Sequence, residues 1–160
     1  MAERWPEQVE RVAAVLRDAG VSARVEEFRA GTPTARAAAE AVGASLSQIV
    51  KSLLFICDGR PTLALVPGDR RADNAKVAVV AGATAARVAK REEVLAATGF
   101  EPGGVAPFPA PAVTQVLIAP ELLQHEQVWI GAGSERHMAG ISPVDLVGLT
   151  NARVGDLTEA

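Results

Sequence analysis

A lysine stands in the apolar run Ile49 to Cys57, IVKSLLFIC. Read as a strand, period-two alternation puts Ile49, Lys51, Leu53 and Phe55 on one face and Val50, Ser52, Leu54 and Ile56 on the other. Both faces are apolar enough to be covered. A covered ammonium needs an anionic partner or the mouth of a pocket. The other reading is a lysine at the frayed start of the strand, snorkelling into water. Lys51 is thus the first residue that could do chemistry, as a point charge set against an anion or a polarised carbonyl.

The second candidate is backbone. Gly99 to Pro111 (GFEPGGVAPFPAP) contains the adjacent glycines Gly103 and Gly104, followed by Val105, Ala106 and Pro107. Glycines open conformations closed to other residues and leave amide N–H groups uncovered. Such a run can hold a carboxylate, a phosphate or a developing oxyanion. It can also be a plain surface connection, although thirteen residues is long for one without structure of its own. Gly131-Ala132-Gly133-Ser134 has the start of a dinucleotide-binding turn, but Arg136 stands where the third glycine belongs and no helix clearly follows. It reads better as a turn setting small residues and amides beside a neighbouring loop.

Other nucleophiles and ligands are few. Cys57 in an apolar strand is a small core residue, and neither His125 nor His137 can be placed beside it. One cysteine and two histidines argue against a structural zinc site or a disulfide framework, and neither metal nor cofactor is expected. Arg70-Arg71 in Gly68-Asp69-Arg70-Arg71 could meet a phosphate, with a solvated turn as the default.

The elements that must position these residues follow from periodicity and caps. A helix is expected at about 3–19, closed by Gly20, with Val9, Val12 and Leu16 at helical spacing. A short strand is expected at 23–28. Thr32-Pro33-Thr34 opens an alanine-rich helix closed by Gly43, with a threonine cap and the proline in the first turn. Ser45 and Gln48 have capping-box spacing. The 49–57 strand turns at Asp58-Gly59 into a partner at 62–66. Asp73 caps a helix to about Ala81; a strand near 85–88 and a helix near 91–98 follow. After the glycine-rich loop come strands at 113–118 and 127–130, a third candidate at 138–141, and a helix started by Ser142-Pro143. Strands and helices interleave without a regular βαβ rhythm. The fold class is mixed α/β, α+β-like, with a barrel-like sheet flanked by helices.

Length and charge bound the rest. At 160 residues, 49% hydrophobic and 22% charged, the chain reads as one soluble domain spanning 1–160. The N-terminal stretch is charged with no apolar signal core, so a cytoplasmic location and no membrane partner are expected. Net charge is −3, which argues against a strong general nucleic-acid binder but not against a protein touching one end of an RNA. Of the sixteen basic residues only Lys51, Lys76 and Lys90 are lysines.

Four segments taken together carry a resemblance. They are Thr34-Ala35 with Ala38-Ala39 and Gly43; Ile49 to Phe55; Gly68 to Asp73 with Lys76; and Thr98-Gly99-Phe100 with Gly103 to Pro107. Their order and spacing, over about residues 25–155, resemble the YbaK/prolyl-tRNA-synthetase-associated domain family, the trans-editing aminoacyl-tRNA deacylases. The resemblance implies a barrel-like mixed sheet and a hydrolase cleaving the ester between a wrongly attached amino acid and the 3′ acceptor end of a tRNA. The family lysine falls on Lys51 and its G-x-x-x-P loop on Gly103 to Pro107, giving Lys51 and Gly103 as catalytic. Thr34, Ser52, Gly104, Val105, Ala106 and Pro107 are implied to bind substrate, as are Gly131, Gly133 and Ser134 of the late glycine-rich run. A late acidic position falls on Asp145. In the alanine-specific branch an asparagine usually follows the lysine, where Ser52 stands here, and a late histidine falls near His137. The implied substrate is a tRNA, tRNA-Pro in the first instance, bearing alanine, serine or cysteine; the implied partner is a synthetase such as prolyl-tRNA synthetase. A non-catalytic binding module of the same fold is the alternative.

Overall fold

The computed structural model describes residues 5–160. Helix α1 (Glu7–Ala19) follows Pro6, buries Val9, Val12 and Leu16, and ends at Gly20 with φ 68°. The part of this helix expected at residues 3–4 lies outside the described residues. After β1 (Val25–Glu27) comes α2 (Ala35–Val42), capped by the Thr34 hydroxyl, which accepts from the Ala37 amide at 3.1 Å. Pro33 therefore precedes the cap instead of sitting in the first turn. Thr32 is buried, and its hydroxyl donates to the Glu135 carbonyl at 2.8 Å. The Ser45/Gln48 pair closes one 3-10 turn, Leu46–Gln48.

The hairpin β2 (Val50–Cys57) and β3 (Arg60–Pro67) has Lys51 opposite Val66. Then come α3 (Asn74–Ala81), capped by Asp73, and β4 (Ala86–Val88), α4 (Arg91–Thr98) and β5 (Gln115–Ile118). The chain continues through β6 (Val128–Ser134), β7 (His137–Ile141), α5 (Pro143–Thr150) and β8 (Arg153–Val154). The five-stranded sheet runs β4-β2-β3-β5-β8, with β5 parallel to β3 and β8 parallel to β5. The three-stranded sheet β1-β7-β6 is antiparallel. A parallel bridge between Ile49 and Trp129 joins them at the start of β2.

The sheets share one core. Val50, Leu54, Leu63 and Leu65 from the first meet Ile130, Ala132, Ala139 and Ile141 from the second, with Val12 and Leu16 of α1 among them. Each such fully buried Leu or Ile contributes about 1.5–3 kcal/mol relative to exposure. The barrel-like expectation is met by this wrapped pair of sheets. The opposite face of β2 and β3 carries Phe55, Cys57, Ala64 and Val66 against Val77 and Ala81 of α3 and against Leu157. Period-two alternation on β2 thus separates two cores, and Cys57 is buried in the second.

Two elements escaped sequence reasoning, β8 and a 3-10 stretch at Pro120–Gln124. One expectation is corrected: Gly131 to Ser134 is the end of β6, not a turn. A β-bulge between Gly131 and Ser134 and a turn at Glu135-Arg136 lead into β7. No helix among the described residues is long and apolar enough to cross a membrane. No group of three or more His, Cys, Asp or Glu among them could hold a metal ion.

Candidate active site

The open edge of β2 makes the site. The Gly68 amide donates to the Ile49 carbonyl at 2.8 Å, and with this register Lys51 and Leu53 turn their backbone groups toward β3. Val50, Ser52 and Leu54 turn theirs the other way. β4 reaches that edge only from Leu54, whose carbonyl accepts from the Ala89 amide at 2.9 Å, and β6 reaches it only at Ile49. Between the two contacts the edge opens onto a cleft of about 580 Å³. Thr34, Ala35 and Ala38 of α2 and its cap form one wall, and Arg91 and Val94 of α4 another. Pro102, Gly103 and Val105 of the glycine-rich loop and Met138 of β7 complete it.

Lys51 is half-buried at this cleft, and its ammonium donates to the Arg70 backbone carbonyl in the loop between β3 and α3. It is neither frayed nor free in water. Burial pulls its pKa below the ordinary 10.5, the Arg71 charge adds to the fall, and Asp69 opposes it. A neutral carbonyl acceptor leaves the positive charge uncompensated by direct bonding. Two of the three N–H donors stay available to an incoming oxygen.

Ser52 follows on the strand, pointing with Val50 and Leu54. Its Oγ is buried and has no hydrogen-bond partner among the described residues. An unmade buried hydrogen bond costs about 1–3 kcal/mol. Such a group beside a cleft suits a polar atom of a ligand.

The glycine-rich loop sits against β6. Gly103 is exposed, with φ 93°, where a side chain is strained. A Cβ there would lie 2.9 Å from Glu135 Oε1. Gly104 is buried, and a Cβ on it would come within 2.8 Å of the Ser134 Cα. A Cβ on Gly131 would come within 2.7 Å of the Val105 carbonyl oxygen. The small residues of both runs are what allow loop and strand to touch.

Of the residues singled out from sequence, Lys51, Ser52, Thr34, Gly103 and Val105 line the cleft. Gly104 and Ala106 turn inward, Ala106 into the shared core, and Pro107 is buried beside a different groove. Gly131, Gly133 and Ser134 are not among its lining; they support the loop from behind. Asp145 lies in the first turn of α5, its amide bound by Ser142 Oγ at 3.1 Å, and does not line the cleft. Sequence reasoning missed Arg91, Val94 and Met138. Met138 was recoverable from alternation along β7, whereas nothing local marks Arg91.

His137 is buried in β7. Ser134 Oγ lies 2.5 Å from its Nδ1, and the Trp5 ring meets it edge-on at 5.1 Å. Glu27 Oε2 is 3.6 Å from Nε2, yet burial wins over that carboxylate and lowers the imidazole pKa below 6.5. It does not line the cleft. Among the described residues that do, there is no carboxylate or imidazole. The arrangement offers the cations of Lys51 and Arg91, backbone amides and the unpartnered Ser52 hydroxyl, which is equipment for stabilising an oxyanion in a substrate already activated.

Comparison with known proteins gives this cleft its context. The model of the aminoacyl-tRNA editing domain matches residues 29–149. YwhH of Bacillus subtilis is 36% identical over 123 residues, 76% of this chain and 78% of that protein. A proline–tRNA ligase of Nitratidesulfovibrio vulgaris is 36% identical over 103 residues, 63% of this chain but only 18% of the ligase. Among solved structures, a candidate trans-editing enzyme for prolyl tRNA synthetase superposes with a TM-score of 0.90 at 37% identity, over 98% of this chain and all of that one. The matched span runs from the loop after β1 to the last turn of α5, enclosing every wall of the cleft, and the chain belongs to the aminoacyl-tRNA editing domain family.

Proposed function

We propose that this chain is a hydrolase acting in trans on mischarged aminoacyl-tRNA. It cleaves the ester of a small amino acid, alanine, serine or cysteine, at the 3′ acceptor end, with tRNA-Pro as the favoured carrier. The observation carrying this reading is the convergence of Lys51 and Gly103 on one cleft in a member of the editing family. The similarity to a part of proline–tRNA ligases supports tRNA-Pro as carrier and prolyl-tRNA synthetase as a working partner.

An aminoacyl ester is reactive, so the task is to position it and to stabilise one tetrahedral intermediate. Water adds to the carbonyl carbon, and the carbonyl electron pair moves onto oxygen. Lys51, at the cleft with free N–H donors, pairs with that oxyanion or with the terminal phosphate, and the Gly103 amide faces the carbonyl. The intermediate collapses by breaking the bond to the ribose oxygen, which leaves with one proton from the water. The other proton passes to solvent as the free carboxylate forms. No lining side chain supplies a base, so the vicinal ribose hydroxyl is the group placed to relay the proton. Ser52 Oγ, lacking an internal partner, is suited to a polar atom of the aminoacyl group.

A volume near 580 Å³ accommodates a ribose and base together with a small amino acid. The walls at Ala35, Ala38 and Val105 select by excluding larger side chains, a discrimination that works better upward in size than downward. The test is a panel of tRNA-Pro charged with alanine, serine, cysteine or proline, beside free aminoacyl esters. Rapid loss of one small mischarged residue, with prolyl-tRNA spared, is the expected outcome. Binding without cleavage would leave a recognition module, and equal turnover of free esters would leave a general esterase.

A further inference from the structure

We propose that the segment Asp156–Glu159, which follows β8, is a clamp that positions the Lys51 ammonium, and that Lys76 is the positioning residue that fastens it. The inference rests on the reading of Lys51 as the charge that meets the substrate. The acceptor of that ammonium is a main-chain carbonyl, Arg70, so the charge is only as well placed as the loop 68–73 that carries it. This loop has little structure of its own, held on its near side by Gly68 to Ile49 and Arg70 to Pro67.

On its far side it is knitted to the segment after β8. The Asp73 amide donates to the Leu157 carbonyl at 2.8 Å, Ala72 forms an antiparallel bridge with Thr158, and the Glu159 amide donates to the Arg71 carbonyl at 2.9 Å. Lys76, one turn into α3, donates from Nζ to the Thr158 carbonyl at 2.7 Å and lies 2.9 Å from Asp156 Oδ2. Leu157 is fully buried between β2, β3 and α3. The Thr158 hydroxyl donates to Glu121 at 3.2 Å. Arg70 is thus tied through its neighbours to the segment after β8.

The same loop sets the field at the ammonium, because the charged groups facing Lys51, Asp69 and Arg71, belong to it. A clamp that slips changes both the position of the charge and its surroundings. Misplacing a reacting group by about 1 Å can cost on the order of a hundredfold in rate. The Lys76–Asp156 pair is open to solvent on the Asp156 side and half-buried at Lys76, and such a pair contributes little to stability, so loss of position is separable from loss of fold.

The test uses Lys76→Met, which keeps the stem and deletes both contacts, with Lys76→Arg as rescue. Two readouts are taken: kcat and KM on the best mischarged tRNA, and the titration of Lys51 Nζ by NMR in lysine-labelled protein. Only three lysines are present, and Lys51→Arg assigns the signal. Lys76→Met is expected to lower kcat about tenfold with KM little changed. It should also move the Lys51 titration upward toward 10.5 at unchanged circular dichroism. Lys76→Arg restores both, and in the Lys51→Arg background the Lys76 change has no further effect on rate. An unmoved Lys51 titration, or the same rate loss in the Lys51→Arg background, overturns the clamp. If Lys76→Met does not fold, Asp156→Asn is read by the same titration, and an unshifted Lys51 there also overturns it. If the wild type cleaves none of the mischarged tRNAs, the functional reading fails, while the titration still decides the clamp.

Discussion

The Lys51 ammonium is held by the main-chain carbonyl of Arg70, nineteen residues along the chain and across the β2–β3 hairpin. A carboxylate in that place would fix the side chain more tightly but cancel its charge. A carbonyl orients it and leaves the charge for a ligand. Lys51→Ala should therefore lower deacylation by at least about a hundredfold, the range seen when one oxyanion donor is removed. The fold should survive, because Lys51 is only half-buried. Single-turnover rates on mischarged tRNA, with circular dichroism alongside, test this. Near-normal turnover would remove Lys51 from the mechanism.

The depressed Lys51 pKa gives the pH profile a sign. In the proposed mechanism the protonated form is the one that works, so the rate should fall as pH rises through a value below 10.5. Lys51→Arg should keep whatever activity it has to higher pH. Stability runs the other way: the unfolded chain holds this proton more tightly, so folding gains from Lys51 as pH rises through the same window. A wild-type alkaline limb that coincides with that of Lys51→Arg contradicts the assignment.

The two adjacent glycines should answer differently to alanine. At Gly103 the strain comes from φ 93°, about 1–3 kcal/mol, and the clash is with the flexible end of Glu135. At Gly104 the added methyl meets the Ser134 backbone, which cannot swing aside. Gly103→Ala should cost activity with a modest drop in melting temperature. Gly104→Ala should cost more stability by loosening the loop from β6. Equal melting temperatures for the two would show that the loop is not seated as described.

His137 makes a separate prediction about acid. Its folded pKa lies below 6.5, so the unfolded chain takes up the proton first, and stability declines as pH falls below about 6.5. Urea unfolding of wild type and His137→Gln between pH 7 and 5 reads this out. The wild type should lose more across that interval, and parallel curves would count against it.

Much of this site was legible in sequence because strand alternation is a local rule. A lysine between Ile49 and Leu53 has to face a covered surface, and β2 places it with Leu53 and Phe55 as alternation requires. Caps were equally readable at Asp73 and Ser142, where a short polar side chain meets a free amide, whereas the α2 cap fell on Thr34, after Pro33 and not before it. What failed were relations between distant segments. Gly131 to Ser134 has turn-like composition, yet its glycines serve close packing of Val105 and Gln8 against a strand. β8 is two residues long and exists only because β5 offers an edge, and Arg91 reaches the cleft only through the placement of α4.

The salt dependence of tRNA binding follows from how little basic surface the site offers. Net charge is −3, and the cations at the cleft are Lys51, Arg71, whose charge acts on it, and Arg91 on the α4 wall. If each meets one phosphate of a single-stranded acceptor end, the slope of log K against log salt is about −0.7 per contact, or roughly −2 in all. Affinity should then fall about fifteen- to twentyfold between roughly 50 and 200 mM salt. Fluorescence anisotropy with an uncleavable aminoacyl-tRNA analogue measures it directly. Arg71→Gln or Arg91→Gln should each reduce the slope by about 0.7. A slope several times steeper would require a basic surface elsewhere on the chain. A slope that Arg71→Gln leaves unchanged would place the acceptor end away from the β3–α3 loop, and with it away from Lys51.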